Sequence, residues 1–205
     1  GQFIIPDTVK VIGGAAFAGC TGMTGTLRLP EGLERIGDYA FYNANSLTGL
    51  VIPDSVVSIG AYAFYDCGSM STLVVPDSVR SIGEEAFMNS VIETLSIPCD
   101  VLVVGKILTS RLNDITFTQG LNGIGIVYNA VEADRLFWNH STAENVKITI
   151  APGIISVGAF TFYENTKLSE VTIAESVAGI GAYAFEGVIF YDSDGKTVLP
   201  MNELA

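Results

Sequence analysis

Apolar residues occupy every second position in a series of short runs along the chain: Leu27-Arg28-Leu29, Leu50-Val51-Ile52, Leu73-Val74-Val75, Leu95-Ser96-Ile97, Ile148-Thr149-Ile150 and Val171-Thr172-Ile173. A period of two, ended by Pro or a small residue, predicts strands of about three residues. A second pattern follows each run. Ile5-Pro6-Asp7-Thr8-Val9-Lys10-Val11-Ile12-Gly13 returns as Ile52-Pro53-Asp54-Ser55-Val56-Val57-Ser58-Ile59-Gly60, and again over residues 75–83. The closing glycine sets the register at Gly13, Gly37, Gly60, Gly83, Gly105, Gly125, Gly158 and Gly181, with spacings of 24, 23, 23, 22, 20, 33 and 23. A fixed period of this size marks a repeat protein, and the spacing of 33 reads as one repeat carrying an insertion of about ten residues.

No three-residue strand can bury a face alone. Stacked copies can, because each turn adds one side chain to every apolar column. The proline ends each strand, since it has no N–H for a ladder. Val9, Ile12 and Phe17, with their later counterparts, are expected to continue the inner wall. Ala16-Phe17 with Cys20, Ala40-Phe41 with Ala44, Ala63-Phe64 with Cys67 and Ala86-Phe87 with Ser90 suggest a single helical or 3-10 turn whose inner residues lie three apart. The glycine is expected to supply a tight bend or a positive φ. The copies ending at Gly105 and Gly125 are eroded but are expected to keep the apolar columns. Eight turns at about 4.8 Å would form an arc roughly 40 Å long.

Mean hydropathy is +0.44, 49% of residues are hydrophobic and 16% are charged, so the chain can bury a large core. No apolar run reaches the roughly 18 residues of a membrane helix. With 10 Lys+Arg against 22 Asp+Glu and a net charge of −12, nucleic acid and direct membrane insertion are not expected. Cys20, Cys67 and Cys99 show no metal spacing. Cys20 and Cys67 share a column two turns apart, about 10 Å, beyond disulfide reach, so three free and mostly buried thiols are expected. Gly1 opens the chain without a Met or a secretory leader. The natural protein is therefore expected to extend on both sides, with any signal and anchor outside these residues.

The motif Ile-Pro-Asp-Ser-Val-x-Ser-Ile-Gly-x-x-Ala-Phe-x-x-Cys resembles the BspA-like leucine-rich repeats of microbial surface proteins. The resemblance covers residues 5–100 and 150–188 strongly and 106–147 weakly. It implies an α/β leucine-rich-repeat solenoid of about eight repeats, right-handed by the crossover rule. A parallel β-sheet would lie on the concave face and helical or 3-10 turns on the convex side. The solenoid would span residues 1–188, degenerate over 99–147, with a hairpin or cap at 189–205. The resemblance also implies a non-catalytic extracellular or cell-surface module that adheres to host matrix, to cell-surface protein or glycan, or to another microbe. It carries over no catalytic residue.

Outward strand positions Arg28, Val51, Val74, Ser96, Thr116, Thr149 and Thr172, flanked by Thr26, Thr72, Thr94, Asp114, Lys147 and Glu170, form either a binding face or a solvated sheet face chosen for β-propensity. The insertion holds Tyr128, Phe137, Trp138 and His140, with a short helix expected near residues 131–138. These aromatics either anchor a partner or cover a weakened core. Asp7, Glu31, Asp54, Asp77 and Glu175 share one column and read as turn residues rather than calcium ligands. Asp192-Ser193-Asp194-Gly195 reads as a hairpin turn, since Met201 stands where an EF-hand needs Glu. His140 is the sole histidine, so no catalytic triad can be built around another base. No cofactor or metal is expected. The alternatives to adhesion are a spacer presenting another domain, or a hydrolase seated in residues 126–147 and using Glu132, Asp134 and Glu144.

Overall fold

The computed structural model describes residues 3–103, 112–120, 146–158, 161–162 and 168–188. The helix expected near residues 131–138 and the hairpin expected at 189–205 lie outside them. The described residues form a parallel β-solenoid with two strand ladders. One ladder uses the alternating runs: β2 (Gly25–Arg28), β4 (Leu47–Val51), β6 (Thr72–Val74), β8 (Thr94–Pro98), β10 (Asp114–Thr118), β11 (Val146–Ile150) and β13 (Leu168–Ile173). β2 pairs with β4, β6 lies beside β4, and β6, β8, β10, β11 and β13 pair in that order. All these pairings are parallel. β10 and β11 are thus neighbours in the ladder although residues 119–145 lie between them in sequence.

The second ladder was not expected as a sheet. Two-residue strands β1 (Val11–Ile12), β3 (Arg35–Ile36), β5 (Ser58–Ile59), β7 (Ser81–Ile82) and β9 (Leu102–Val103) stack in parallel, and β12 (Ser156–Val157) pairs with β14 (Gly179–Ile180). At its far end the expected register is wrong by one residue. Val103, not the residue before Gly105, lies opposite Ile82, so this copy keeps an apolar residue in the column with its register shifted by one.

The expected helical turns are not formed. Among the described residues no helix occurs. The segment after each motif glycine is instead a third hydrogen-bonded ladder. Tyr39, Phe41 and Asn43 donate their N–H groups to the carbonyls of Ala61, Ala63 and Tyr65 in the next turn, each at 2.8 Å. The intervening amides of Ala40, Tyr42 and Ala44 close tight turns onto Gly37, Tyr39 and Phe41. Alternate amides can point along the stack only because the backbone reverses hand. Ala15, Tyr39, Asn43, Tyr62, Asp66, Glu85 and Asn89 all have φ between 52° and 59°. A helix would turn every amide the same way and leave the neighbouring turn's carbonyls unpaired.

The motif glycine also differs from expectation. Gly13, Gly37, Gly60 and Gly83 are not among the residues of positive φ. Gly37, Gly60 and Gly83 are required by close approach to the preceding turn, whereas nothing lies near Gly13 in the first turn: a Cβ on Gly37 would stand 2.7 Å from the nitrogen of Gly14 and 2.8 Å from the carbonyl carbon of Gly13.

The core is one continuous cluster. Phe17, Phe41, Phe64 and Phe87 stack at 5.2–5.3 Å between centroids, with interplanar angles of 18° or less. The motif serines tie turn to turn. Ser55, Ser78 and Ser176 donate to the carbonyls of Leu33, Val56 and Ile154 at 2.6, 2.8 and 2.8 Å.

All three cysteines are free; Cys67 and Cys99 are buried and Cys20 is partly so. Burial, reinforced by the charge of Asp66, pushes the Cys67 thiol up to about 12. An unfolded chain loses that proton near the ordinary thiol value, whereas the folded chain keeps it. Stability should therefore be complete below about pH 9 and fall as pH rises toward 12, by on the order of 2 kcal/mol at pH 10.5. Urea unfolding of the wild type and of Cys67→Ala, the residue its column already uses at Ala44, at pH 8 and 10.5 checks this. Equal alkaline losses in both would show the thiol to be open to solvent.

Candidate functional site

The strand alternation decides which side chains face out. Leu27, Leu50, Leu73, Leu95, Ile115 and Ile148 are buried, together with Leu29, Ile52, Val75, Ile97, Phe117 and Ile150 two residues later. The residue between each pair points to solvent. In register, Arg28 lies opposite Val51. Val74, Ser96, Thr116, Thr149 and Thr172 succeed one another across five strands. A second row, Thr72, Thr94, Asp114, Lys147 and Glu170, runs beside it. Thr26 holds the same place before its strand's buried leucine, opposite Gly49, which has no side chain to continue the row.

The sequence-derived strand positions are thus brought onto one face. Val74 is 56% exposed, Arg28 and Thr172 are exposed, and Val51, Ser96, Thr116 and Thr149 are half-buried. Consecutive hydroxyls repeat at the strand spacing of about 4.8 Å, each both donor and acceptor. Lys147 Nζ meets Glu170 Oε2 at 2.7 Å. This bond first, and the charges of Glu170 and Asp114 after it, hold the lysine above its ordinary range. Both partners are more than half exposed, so the pair orders the row more than it stabilises the fold. Such a surface can hydrogen-bond an extended or flat ligand.

Tyr128, Phe137, Trp138 and His140 lie outside the described residues, as do Glu132, Asp134 and Glu144. The column of Asp7, Glu31, Asp54, Asp77 and Glu175 is exposed throughout. The turn at these residues is closed by the backbone: the amides of Val56 and Val79 donate to the carbonyls of Pro53 and Pro76 at 3.1 and 3.0 Å. Asp77 accepts from Thr118 Oγ1 at 2.5 Å. Among the described residues no three potential ligands gather for a metal.

Two outer features escaped the sequence reading. The second ladder presents its own row, Val11, Arg35, Ser58 and Ser81, beside a shallow glycine-floored groove. On the third ladder, Tyr39, Tyr42, Tyr62 and Tyr65 form a block of stacked rings. Its signal was present as Tyr-Ala-Phe-Tyr, twice, 23 residues apart.

A model of the BspA-type leucine-rich repeat region matches residues 1–108 and 133–192, in six copies. That count corrects the expected eight. Residues 109–132, outside the match, include the copy closing at Gly125, which lacks both the proline and the Ala-Phe pair. Among solved structures, a leucine-rich repeat protein from Bacteroides ovatus is 22% identical over 89% of this chain and 69% of its own, with a TM-score of 0.47. The pneumococcal vaccine antigen PcpA is 21% identical over 90% of this chain and 48% of its own, TM-score 0.47. A leucine-rich cell surface protein from Faecalibacterium prausnitzii is 22% identical over 93% of this chain and 65% of its own, TM-score 0.30. The chain thus spans about half to two thirds of the length of these proteins. No curated protein matches it. Because six copies of the repeat account for well over half of its residues, the chain belongs to the BspA-type leucine-rich repeat family.

Proposed function

We propose that the chain is a non-catalytic binding module of an extracellular or cell-surface microbial protein, and that the outward rows of the long-stranded ladder are its ligand surface. The observation that carries this reading is the in-register row Val74, Ser96, Thr116, Thr149 and Thr172, solvated on one side and fixed by a buried core on the other. A regular array of hydroxyls on a stiff support binds without paying to order itself, and solenoids use extended faces of this kind for partners. Membership in a structural repeat family supports the non-catalytic assignment. Host matrix protein and cell-surface glycan are the ligand classes that fit a hydroxyl-rich, weakly charged face.

The test is a screen of purified protein against immobilised matrix proteins and cell-surface glycans, repeated with the double variant Val74→Arg/Thr116→Arg. Both side chains point away from the core, so the melting temperature should stay within a few degrees. Affinity for any ligand found should fall at least about tenfold, as for loss of a central contact. Absence of binding across the screen, or full binding by the double variant, would overturn the assignment; unchanged cell attachment would then favour a spacer.

A further inference from the structure

The third ladder carries a surface that the fold does not require. The second residue after each motif glycine must adopt a left-handed backbone, and Ala15, Tyr39, Tyr62 and Glu85 all do so, with φ of 54°, 58°, 57° and 52°. An alanine and a glutamate fill this position as readily as a tyrosine, so the turn itself does not call for an aromatic ring. Three residues further on, the column reads Ala18, Tyr42, Tyr65 and Met88. The result is a block of four rings two turns high. Tyr39 stacks on Tyr62 at 4.9 Å and 7°, and Tyr42 on Tyr65 at 5.1 Å and 14°. Within each turn the rings touch at 5.6 and 5.8 Å. Asn89 Nδ2 donates to the Tyr65 hydroxyl at 2.8 Å and fixes that corner. Tyr39 is 43% exposed. In the first turn both columns drop to the exposed alanines Ala15 and Ala18, so the block ends there in a step.

The charge around the block has one sign. The post-glycine segments 13–24, 37–46, 60–71 and 83–93 hold Asp38, Asp66, Glu84, Glu85 and Glu93, and neither Lys nor Arg. Desolvation first, then Glu85 and Glu84, raise the Tyr62 phenol above its ordinary range, which places those carboxylates within electrostatic reach of the rings.

We infer that the Tyr39–Tyr42–Tyr62–Tyr65 block is a second interaction surface, and that its partner is a basic, arginine-bearing segment of another protein. Tyrosine faces attract cations, guanidinium groups stack on them better than ammonium groups, and neighbouring carboxylates bind the same group by charge-assisted hydrogen bonds. The surface is separate from the strand rows proposed above, so either can fail without the other.

The probes are nona-arginine and nona-lysine, titrated calorimetrically into the whole chain at 0.15 M salt. Nona-arginine should bind more tightly than nona-lysine. Tyr39→Leu/Tyr62→Leu, which keeps apolar bulk but removes the ring faces, should weaken nona-arginine binding by roughly fivefold. Circular dichroism confirms that the variant folds, and the exposed single variant Tyr39→Leu replaces it if it does not, with a loss of roughly twofold to threefold expected. Equal affinity for the two peptides, or an unchanged affinity in the leucine variant, would overturn the inference and leave only unspecific attraction to an acidic chain.

Discussion

Phe64→Ala should lower the unfolding free energy by roughly 3–5 kcal/mol. Phe64 is fully buried and is held between Phe41 at 5.2 Å and Phe87 at 5.3 Å, with all three rings nearly parallel. Truncation removes the burial of one ring, two stacking contacts of about 0.5–1.5 kcal/mol each, and leaves a cavity in the middle of the stack. The cavity cannot collapse easily, because the Phe64 backbone is pinned to the next turn by two hydrogen bonds. The Phe64 amide donates to Ala86 at 2.7 Å, and its carbonyl accepts from the Ser90 hydroxyl at 2.8 Å. Phe17→Ala, at the half-exposed end of the same stack, should cost less than half as much. Since each turn contacts only its neighbours, the central truncation should also weaken coupling between the turns before and after it. Urea denaturation measures both effects, the second as a shallower or split transition. A shift below 1 kcal/mol for Phe64→Ala would mean that the ring column is not the core.

Gly60→Ala should be nearly as damaging, and Gly13→Ala should be harmless. A Cβ on Gly60 would stand 2.5 Å from the nitrogen of Asp38 and 2.6 Å from the carbonyl carbon of Gly37. Those atoms are main chain of the preceding turn, held where it is by the ladder bonds from the Gly37 amide to the Ile12 carbonyl and from the Ala15 amide to the Asp38 carbonyl, each at 2.8 Å, so the turn cannot withdraw without opening hydrogen bonds. The glycine amide is itself bonded to Ile36 at 2.8 Å. Forcing the turns apart should cost about 3 kcal/mol, at the upper end for overpacking. Around Gly13 nothing lies within 4 Å of the added atom, and its alanine variant should stay within about 0.5 kcal/mol of the wild type. Thermal unfolding of the two variants separates close approach from backbone conformation. Similar losses at both sites would show that the motif glycine is needed for its dihedral angles instead.

The sequence made the long-stranded ladder legible because Leu-x-Leu alternation survives in every copy, including the degenerate stretch, where Ile115-Thr116-Phe117 still takes its place between its neighbours. The outward row followed directly, since a period of two fixes the face of each side chain. The second ladder stayed hidden because strands of two residues, such as Ser58–Ile59, are too short to alternate. The post-glycine segment was misread for a different reason. A spacing of three between Phe64 and Cys67 fits a helical turn as well as a pair of tight turns, and the first left-handed position is filled by Ala15, Tyr39, Tyr62 and Glu85, residue types that carry no conformational signal; the second, Gly19, Asn43, Asp66 and Asn89, did carry one. The tyrosine block is a property of two adjacent copies rather than of the motif, so a consensus reading averages it away. The one-residue slip at Val103 falls in the copy whose sequence lacks the Ala-Phe pair after its glycine.

Stacking of successive turns at one spacing is best tested by a cross-link between them. Ala44 and Cys67 occupy the same buried column in adjacent turns, at about 4.8 Å and within reach of a disulfide, whereas Cys20 and Cys67 lie two turns apart. Refolding Ala44→Cys in a thiol–disulfide buffer, followed by peptide mapping, should give one new bond from position 44 to a neighbour in its column, Cys67 or Cys20, with Cys99 still reduced. Failure of that bond to form, or a Cys20–Cys67 bond in the unmodified chain, would contradict the stacked-turn architecture.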